Sequence, residues 1–315
     1  STSFPYYFNI SLDKELLFTP IINYGGGVDA SQRFIFDYNQ ILSGGNVKYN
    51  LTFDSNLEKQ NNNEWFSDAS LITKYVKNIN KNYRIKIDSA LQTSKNYIQI
   101  TKPNDDLSYS TSLKTDFKIE GFNLRKIDDH LDVSLNFYQT NQENEDNKSI
   151  PTVFPRIKYH TGYFNKNGNV SNSTFKFYNI FREKSNLVHA KNQQKISHKY
   201  NIRKELINYK SKILLNAEIY NQVFNTEKKL IEGNEHKTGS YYRFFPIIGV
   251  SSETPFKIRK YIPSLTLNPK INLVISPGIS NSNKLSNEDS TNNDFSSAGP
   301  ITSLGNHAYQ IPGWE

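Results

Sequence analysis

Imidazole, thiol and paired carboxylate side chains carry most acid–base, nucleophilic and metal chemistry in proteins. The chain has six histidines, His130, His160, His189, His198, His236 and His307, and none stands in His-Glu-x-x-His or another metal-ligand spacing. They read as polar-face or loop histidines. Asp105-Asp106, Asp128-Asp129 and the group Glu143, Glu145 and Asp146 concentrate negative charge. None repeats the pattern by which an EF-hand wraps calcium, so they read as solvated loop acids. Gly25-Gly26-Gly27 is not followed by Lys-Ser/Thr and opens no helix, which makes it a flexible turn rather than a phosphate cradle. With no cysteine there is no disulfide, thiolate metal site or cysteine nucleophile. No nucleophile, base and acid assemble from these spacings, and the chain is expected to be no enzyme and to hold no cofactor or metal.

What the chain does carry is period two. Phe34, Phe36 and Tyr38 share one face while Arg33, Ile35 and Asp37 share the other; Val47, Tyr49, Leu51 and Phe53 alternate likewise with Lys48, Asn50, Thr52 and Asp54. The pattern returns in Tyr83-Ile85-Ile87, Leu113-Thr115-Phe117-Ile119, Leu131-Val133-Leu135-Phe137, Phe175-Phe177, Ile213-Leu215-Ala217-Ile219 and Ile271-Leu273-Ile275. Such alternation specifies strands with one apolar and one polar face. No run approaches the roughly 18 apolar residues of a membrane-spanning helix. The composition, 20 Tyr and 20 Phe in 315 residues at a mean hydropathy of −0.66, suits a surface with water on one side and something apolar on the other. Segments of about nine to eleven residues match tilted transmembrane strands. The fold predicted is therefore all-β, an antiparallel transmembrane β-barrel of the outer-membrane type, with a soluble β-sandwich as the rival.

Tight connections are expected at Asp13-Lys14, Ser43-Gly44-Gly45 and Gly121-Phe122-Asn123, and long polar loops at Ser55 to Glu64, Thr140 to Pro151, Asn225 to Gly239 and Ser280 to Pro300. Ser185 to Lys204 is polar enough to be strand or irregular. The net charge of +8 is spread along the chain, so no nucleic-acid partner is expected. A chain without Met that opens Ser1-Thr2-Ser3 reads as a mature segment or fragment.

The first two alternating segments, Phe4 to Leu12 and Glu15 to Ile22, form a predicted hairpin with Pro5 in one arm and Pro20 in the other. Proline gives no N–H to a ladder. A turn centred near Asp13-Lys14 places Pro5 close to Ile22 and Pro20 close to Tyr7, both at the end far from the turn. Two readings stand: a seam where strands part, or an edge device against aggregation.

Pro5-Tyr6-Tyr7-Phe8-Asn9-Ile10 followed by Leu17-Phe18-Thr19-Pro20 resembles the opening of the barrel domain in the LptD (OstA/Imp) family of lipopolysaccharide-assembly proteins, where the phrase reads like PYYxNIxPxxDxTxTP. Further similarities follow in order: Arg243-Phe244-Phe245-Pro246, Asn268-Pro269-Lys270-Ile271, Ile275-Ser276-Pro277, Asn287-Glu288-Asp289-Ser290 and Ile311-Pro312-Gly313-Trp314-Glu315. The resemblance implies that residues 1–315 are the N-terminal part of a large barrel of the Gram-negative outer membrane, with 279–315 a long loop. It places the family's periplasmic jelly-roll domain and final strands outside this chain. It also implies a translocon that inserts lipopolysaccharide into the outer leaflet through a lateral gate between first and last strands, with Pro5, Pro20 and Tyr7 at that gate. The implied partners are an LptE-like plug lipoprotein and a periplasmic LptA-like bridge. A general porin or receptor barrel, or a soluble β-rich binding protein, are the alternatives.

Overall fold

The computed structural model describes residues 1–23, 31–56, 66–141, 146–185, 190–208, 211–230, 235–257 and 266–277. Gly25-Gly26-Gly27, Glu143, Glu145, His189, His307, the 279–315 loop and the Asn287 and Ile311 motifs lie outside the described residues. Two compact units are present, one of Ser1–Phe122 with Leu131–Arg156, the other of Asn123–His130 with Ile157–Glu315.

The chain begins with β1 (Thr2–Ser3), β2 (Tyr6–Ser11), β3 (Lys14–Asn23), β4 (Ser31–Leu42), β5 (Gly45–Asn56), β6 (Phe66–Asn78) and β7 (Tyr83–Gln92). A short helix, α1 (Tyr97–Thr101), and a 3-10 turn at Asp106–Tyr109 precede β8 (Ser112–Phe122), β9 (His130–Thr140) and β10 (Thr152–His160). Then follow β11 (Phe164–Lys166), β12 (Asn169–Phe181), β13 (Ala190–Asn208), β14 (Ser211–Leu230), β15 (His236–Glu253), β16 (Phe256–Lys257), β17 (Thr266–Leu267) and β18 (Lys270–Ile275). Sixteen strands make one sheet, ordered β1-β3-β4-β5-β6-β7-β8-β9-β10-β12-β13-β14-β15-β18, with β2 also on β3 and β11 on β12. The fold is all-β and antiparallel as predicted, and among the described residues the strand order is an open run. No helix among those residues is long and apolar enough to cross a membrane, which says nothing of strands.

Burial along the strands is the reverse of a water-soluble protein. In β5, Thr52 is 0% exposed while its neighbour Leu51 is 37% exposed; in β13, Lys195 is 2% exposed and Ile196 44%. The pattern spreads across register. Leu51 stands opposite Phe36 and Leu71, and Thr52 opposite Ile35 and Ser70. A sandwich would cover its apolar faces with a second sheet. Here polar side chains pack together on one face and leave the apolar face bare, the arrangement of a sheet whose outer solvent is lipid.

Several boundaries differ from the sequence expectation. The first turn is Leu12-Asp13, one residue earlier than predicted, and a bulge lies between Asn9 and Ser11. Strand β8 continues through Gly121 and Phe122, so the expected tight turn is a longer connection, 123–129. Asn225 to Gly239 is mostly strand, because β14 runs to Leu230 and β15 starts at His236, the ladder passing an irregularity between Thr226 and Lys229. Polar segments such as Ser185 to Lys204 give no apolar period, yet β13 begins at Ala190: backbone hydrogen bonds need no apolar side chain where water or polar neighbours flank the ladder. Strands β13, β14 and β15 have 19, 20 and 18 residues. The roughly 9–11 residues that cross a bilayer leave about half of each outside the hydrocarbon. The Ser43-Gly44-Gly45 turn is as predicted. Gly44 has φ +82°, and a Cβ on Gly45 would lie 1.9 Å from the Val76 carbonyl oxygen, so both glycines are required.

The acid pairs have structural work. Asp105 caps the 3-10 turn by accepting from the Leu107 N–H at 3.0 Å. Buried Asp129 accepts from the Gly162 N–H at 2.6 Å, the Tyr159 hydroxyl at 3.0 Å and the Lys126 N–H at 3.1 Å, pinning the 123–129 connection. Burial pushes its carboxyl up, but these donors outweigh that and hold it below the ordinary carboxylate range. A depressed carboxylate contributes stability that is present above its unfolded pKa and lost as pH falls through the folded value. Asp129→Asn is expected to destabilise this unit by about 1–3 kcal/mol, and the wild type to lose stability progressively as pH falls from about 4, the ordinary carboxylate value, through the lower folded value. Urea denaturation of the folded protein at pH 7 and pH 3 measures both.

Candidate functional site

The sheet's first strand is where the backbone ladder is weakest. β1 pairs with β3 through Thr2 with Ile22 and Ser3 with Ile21; β2 pairs through Tyr6 with Phe18 and Tyr7 with Leu17. Between them the strand breaks at Phe4-Pro5, where the Phe4 N–H donates to the Pro20 carbonyl at 3.0 Å. In an antiparallel ladder such a pair exchanges two bonds. Pro20 has no N–H, so the return bond to the Phe4 carbonyl is missing. Successive residues of a strand turn their N–H groups to opposite neighbours, and the Pro5 nitrogen accordingly faces away from β3, toward the open edge. Pro20 removes a donor from the first seam, and Pro5 removes one from the edge a further strand would use.

This register corrects the sequence expectation. Ile22 faces Thr2 rather than Pro5, and Pro20 stands level with Phe4 rather than Tyr7. The earlier turn and the bulge together shift the pairing and bring the two prolines to adjacent levels. Every residue of β2 is exposed, so side-chain packing does little to compensate. Prolines also occur within β10 and β15, at Pro155 and Pro246, so proline in a strand does not by itself mark a seam.

Tyr7 sits on the polar face and ties the seam by a side-chain bond. Its hydroxyl donates to Glu15 at 2.9 Å, and Glu15 accepts from the Asn39 amide on β4 at 2.8 Å. Beyond it, Arg33 and Asp54 form a two-bond ion pair at 2.7 and 2.9 Å, and Asn50 donates to Asp37. On the opposite face Tyr6 packs on Phe18, Phe18 on both Phe34 and Phe36, and these two on Phe53, with centroids 4.7 Å apart for Phe18 and Phe36 and 5.1 Å for Phe34 and Phe53. From β3 inward the sheet is held by ladders, rings and ions together.

The 93–111 segment, of which the sequence reading noted only the Asp105-Asp106 pair, folds over this polar face. Ile98 packs on Ala90 and Leu113, and the Gln92 side chain accepts the Ile98 N–H at 2.9 Å. Lys102 donates to Asn50, and burial lowers its pKa. The helix is too short for a periodic signal, which explains its absence from the sequence reading. In the second unit His160 and His198 bond Thr174 and Ser173, a structural use of both rings. There the polar face presents Lys195 against the rings of Tyr178 and Phe224, Lys199 against Tyr220, and Arg243 against Phe224.

Inside-out strands with a proline-weakened terminal strand define a membrane-barrel segment. The family model for LptD, LPS transport system D, matches residues 70–299, more than half of the chain, and the chain belongs to that family. It is a lipopolysaccharide transport and assembly family of the outer membrane rather than a family of enzymes. No curated protein matches the chain. The match begins at Ser70, so the case for Pro5, Pro20 and Tyr7 rests on the geometry of the first strand.

Restoring the missing donor with Pro20→Ala adds one ladder bond, about 0.5–1.5 kcal/mol net, and is expected to slow local opening of β1 roughly threefold to tenfold. The labelling rate of a cysteine introduced at Ser3, compared with and without Pro20→Ala in the full-length protein, measures this.

Proposed function

We propose that this chain forms the gate-bearing part of a lipopolysaccharide translocon, in which the glycolipid passes sideways between the first strand and a closing strand supplied by the rest of the protein. The observation that carries the reading is Pro5, which offers no donor to the outer edge, on a strand whose hold on β3 is itself weakened at the Phe4–Pro20 pair with its missing return bond. Opening a normal seam in hydrocarbon breaks backbone bonds that lipid cannot replace. A seam already lacking donors has fewer to break. The polar face then accommodates a sugar head while the acyl chains stay against lipid.

In this reading the chain is the N-terminal part of the barrel. A periplasmic jelly-roll domain outside this chain receives lipopolysaccharide from an LptA-like bridge, and an LptE-like lipoprotein plugs the barrel. A passive porin gains nothing from a weakened terminal strand, which favours the translocon over a general pore.

Pro5→Ala with Pro20→Ala in the full-length protein restores up to two bonds, about 1–3 kcal/mol, and is expected to reduce lipopolysaccharide export roughly fivefold or more. Heat-modifiable migration, the sign of an assembled barrel, should be unchanged. Normal export by an assembled double variant contradicts the gate.

A further inference from the structure

On the polar face of β2 to β6, two adjacent cross-strand rows border a concavity of about 380 Å³. One row runs Tyr7, Leu17, Asp37, Asn50 and Ile72, and the other Glu15, Asn39, Lys48 and Lys74. Lys48 and Lys74 stand directly opposite each other on β5 and β6, both exposed, and neither forms an ion pair among the described residues. Like charges opposed across a ladder destabilise the sheet; Asp88 on β7, opposite Lys74, offsets part of this on one side, and an anion lying between the two ammonium groups would offset more. The volume lies within the range of ligand sites.

We propose that this concavity binds a phosphorylated sugar, the head of the transported glycolipid, beside the seam. Its chemistry is two-sided. The lysines supply paired ammonium groups for a phosphate. The carboxylates of Glu15 and Asp37, with the amides of Asn39 and Asn50, offer acceptors and donors for hydroxyls, and the exposed Tyr7 ring offers a flat apolar surface. Glu15 and Asp37 disfavour a bare polyanion, so the site selects a phosphate carried next to hydroxyls. Tyr7 and Glu15 also form the side-chain tie across the first seam, at 2.9 Å. A sugar competing for Glu15 thereby loosens the first strand from β3 and frees it to move away from the closing strand. The inference deepens the translocon reading and rests on it for the identity of the ligand.

The test uses the full-length protein with its partner subunits in lipid nanodiscs. Three probes are titrated: a phosphorylated glucosamine disaccharide without acyl chains, the same disaccharide without phosphate, and inorganic phosphate. The expected result is that Lys48→Gln with Lys74→Gln weakens the phosphorylated disaccharide about tenfold or more and leaves the dephosphorylated one unchanged, while inorganic phosphate competes poorly. Lys74→Gln alone, should the double variant fail to assemble, is expected to weaken it in the same sense. Equal affinity in wild type and variant overturns the proposal. So does competition by inorganic phosphate as strong as by the disaccharide, which marks a plain anion patch. Pro5→Ala with Pro20→Ala should leave binding intact, so a failed gate and a failed sugar site give different results.

Discussion

Hydrocarbon offers no hydrogen bonds, and everything in this sheet follows from satisfying the backbone without them. From β3 to β8 each strand is flanked by ladder partners on both sides, and side chains sort by face, polar against polar on one and apolar on the other. Thr52 buried beside exposed Leu51, and Lys195 buried beside exposed Ile196, record that sorting in two distant parts of the chain. A proline in such a ladder removes a donor that no solvent replaces, so where it stands matters more than in water.

The grip on successive strands is graded. Between β3 and β5 the ladder is reinforced by the Phe18, Phe34, Phe36 and Phe53 rings and by the Arg33–Asp54 ion pair. The first strand has an interrupted ladder, exposed side chains and the Tyr7–Glu15 bond. In the proposed gate, a terminal strand so held exchanges neighbours without unsettling the strands behind it. That is a mechanical property, and it agrees with a family whose work is moving a lipid rather than transforming one.

Most of the strands were legible because period-two alternation survives in them, and both prolines were legible because their lack of an N–H is independent of context. The register was not: it depended on a one-residue shift of the turn and a bulge after Asn9, neither of which leaves a mark in the residue types. The polar ladder of β13 and the end of β14 from Asn225 were obscured because apolar period is a signal of burial, not of hydrogen bonding. The row of Glu15, Asn39, Lys48 and Lys74 was hidden for a related reason. Each residue reads correctly as a polar-face position on its own strand, but only the register aligns them.

The central claim is that the first strand is held far less firmly than its neighbours. Hydrogen exchange in the full-length protein embedded in lipid tests it most directly, by comparing backbone amides of Tyr6 to Ser11 with those of Val47 to Asp54. The account predicts exchange in the first strand about a hundredfold faster or more, as for a locally opening segment. Equal protection of the two strands would contradict it and leave the prolines as ornaments of a rigid edge.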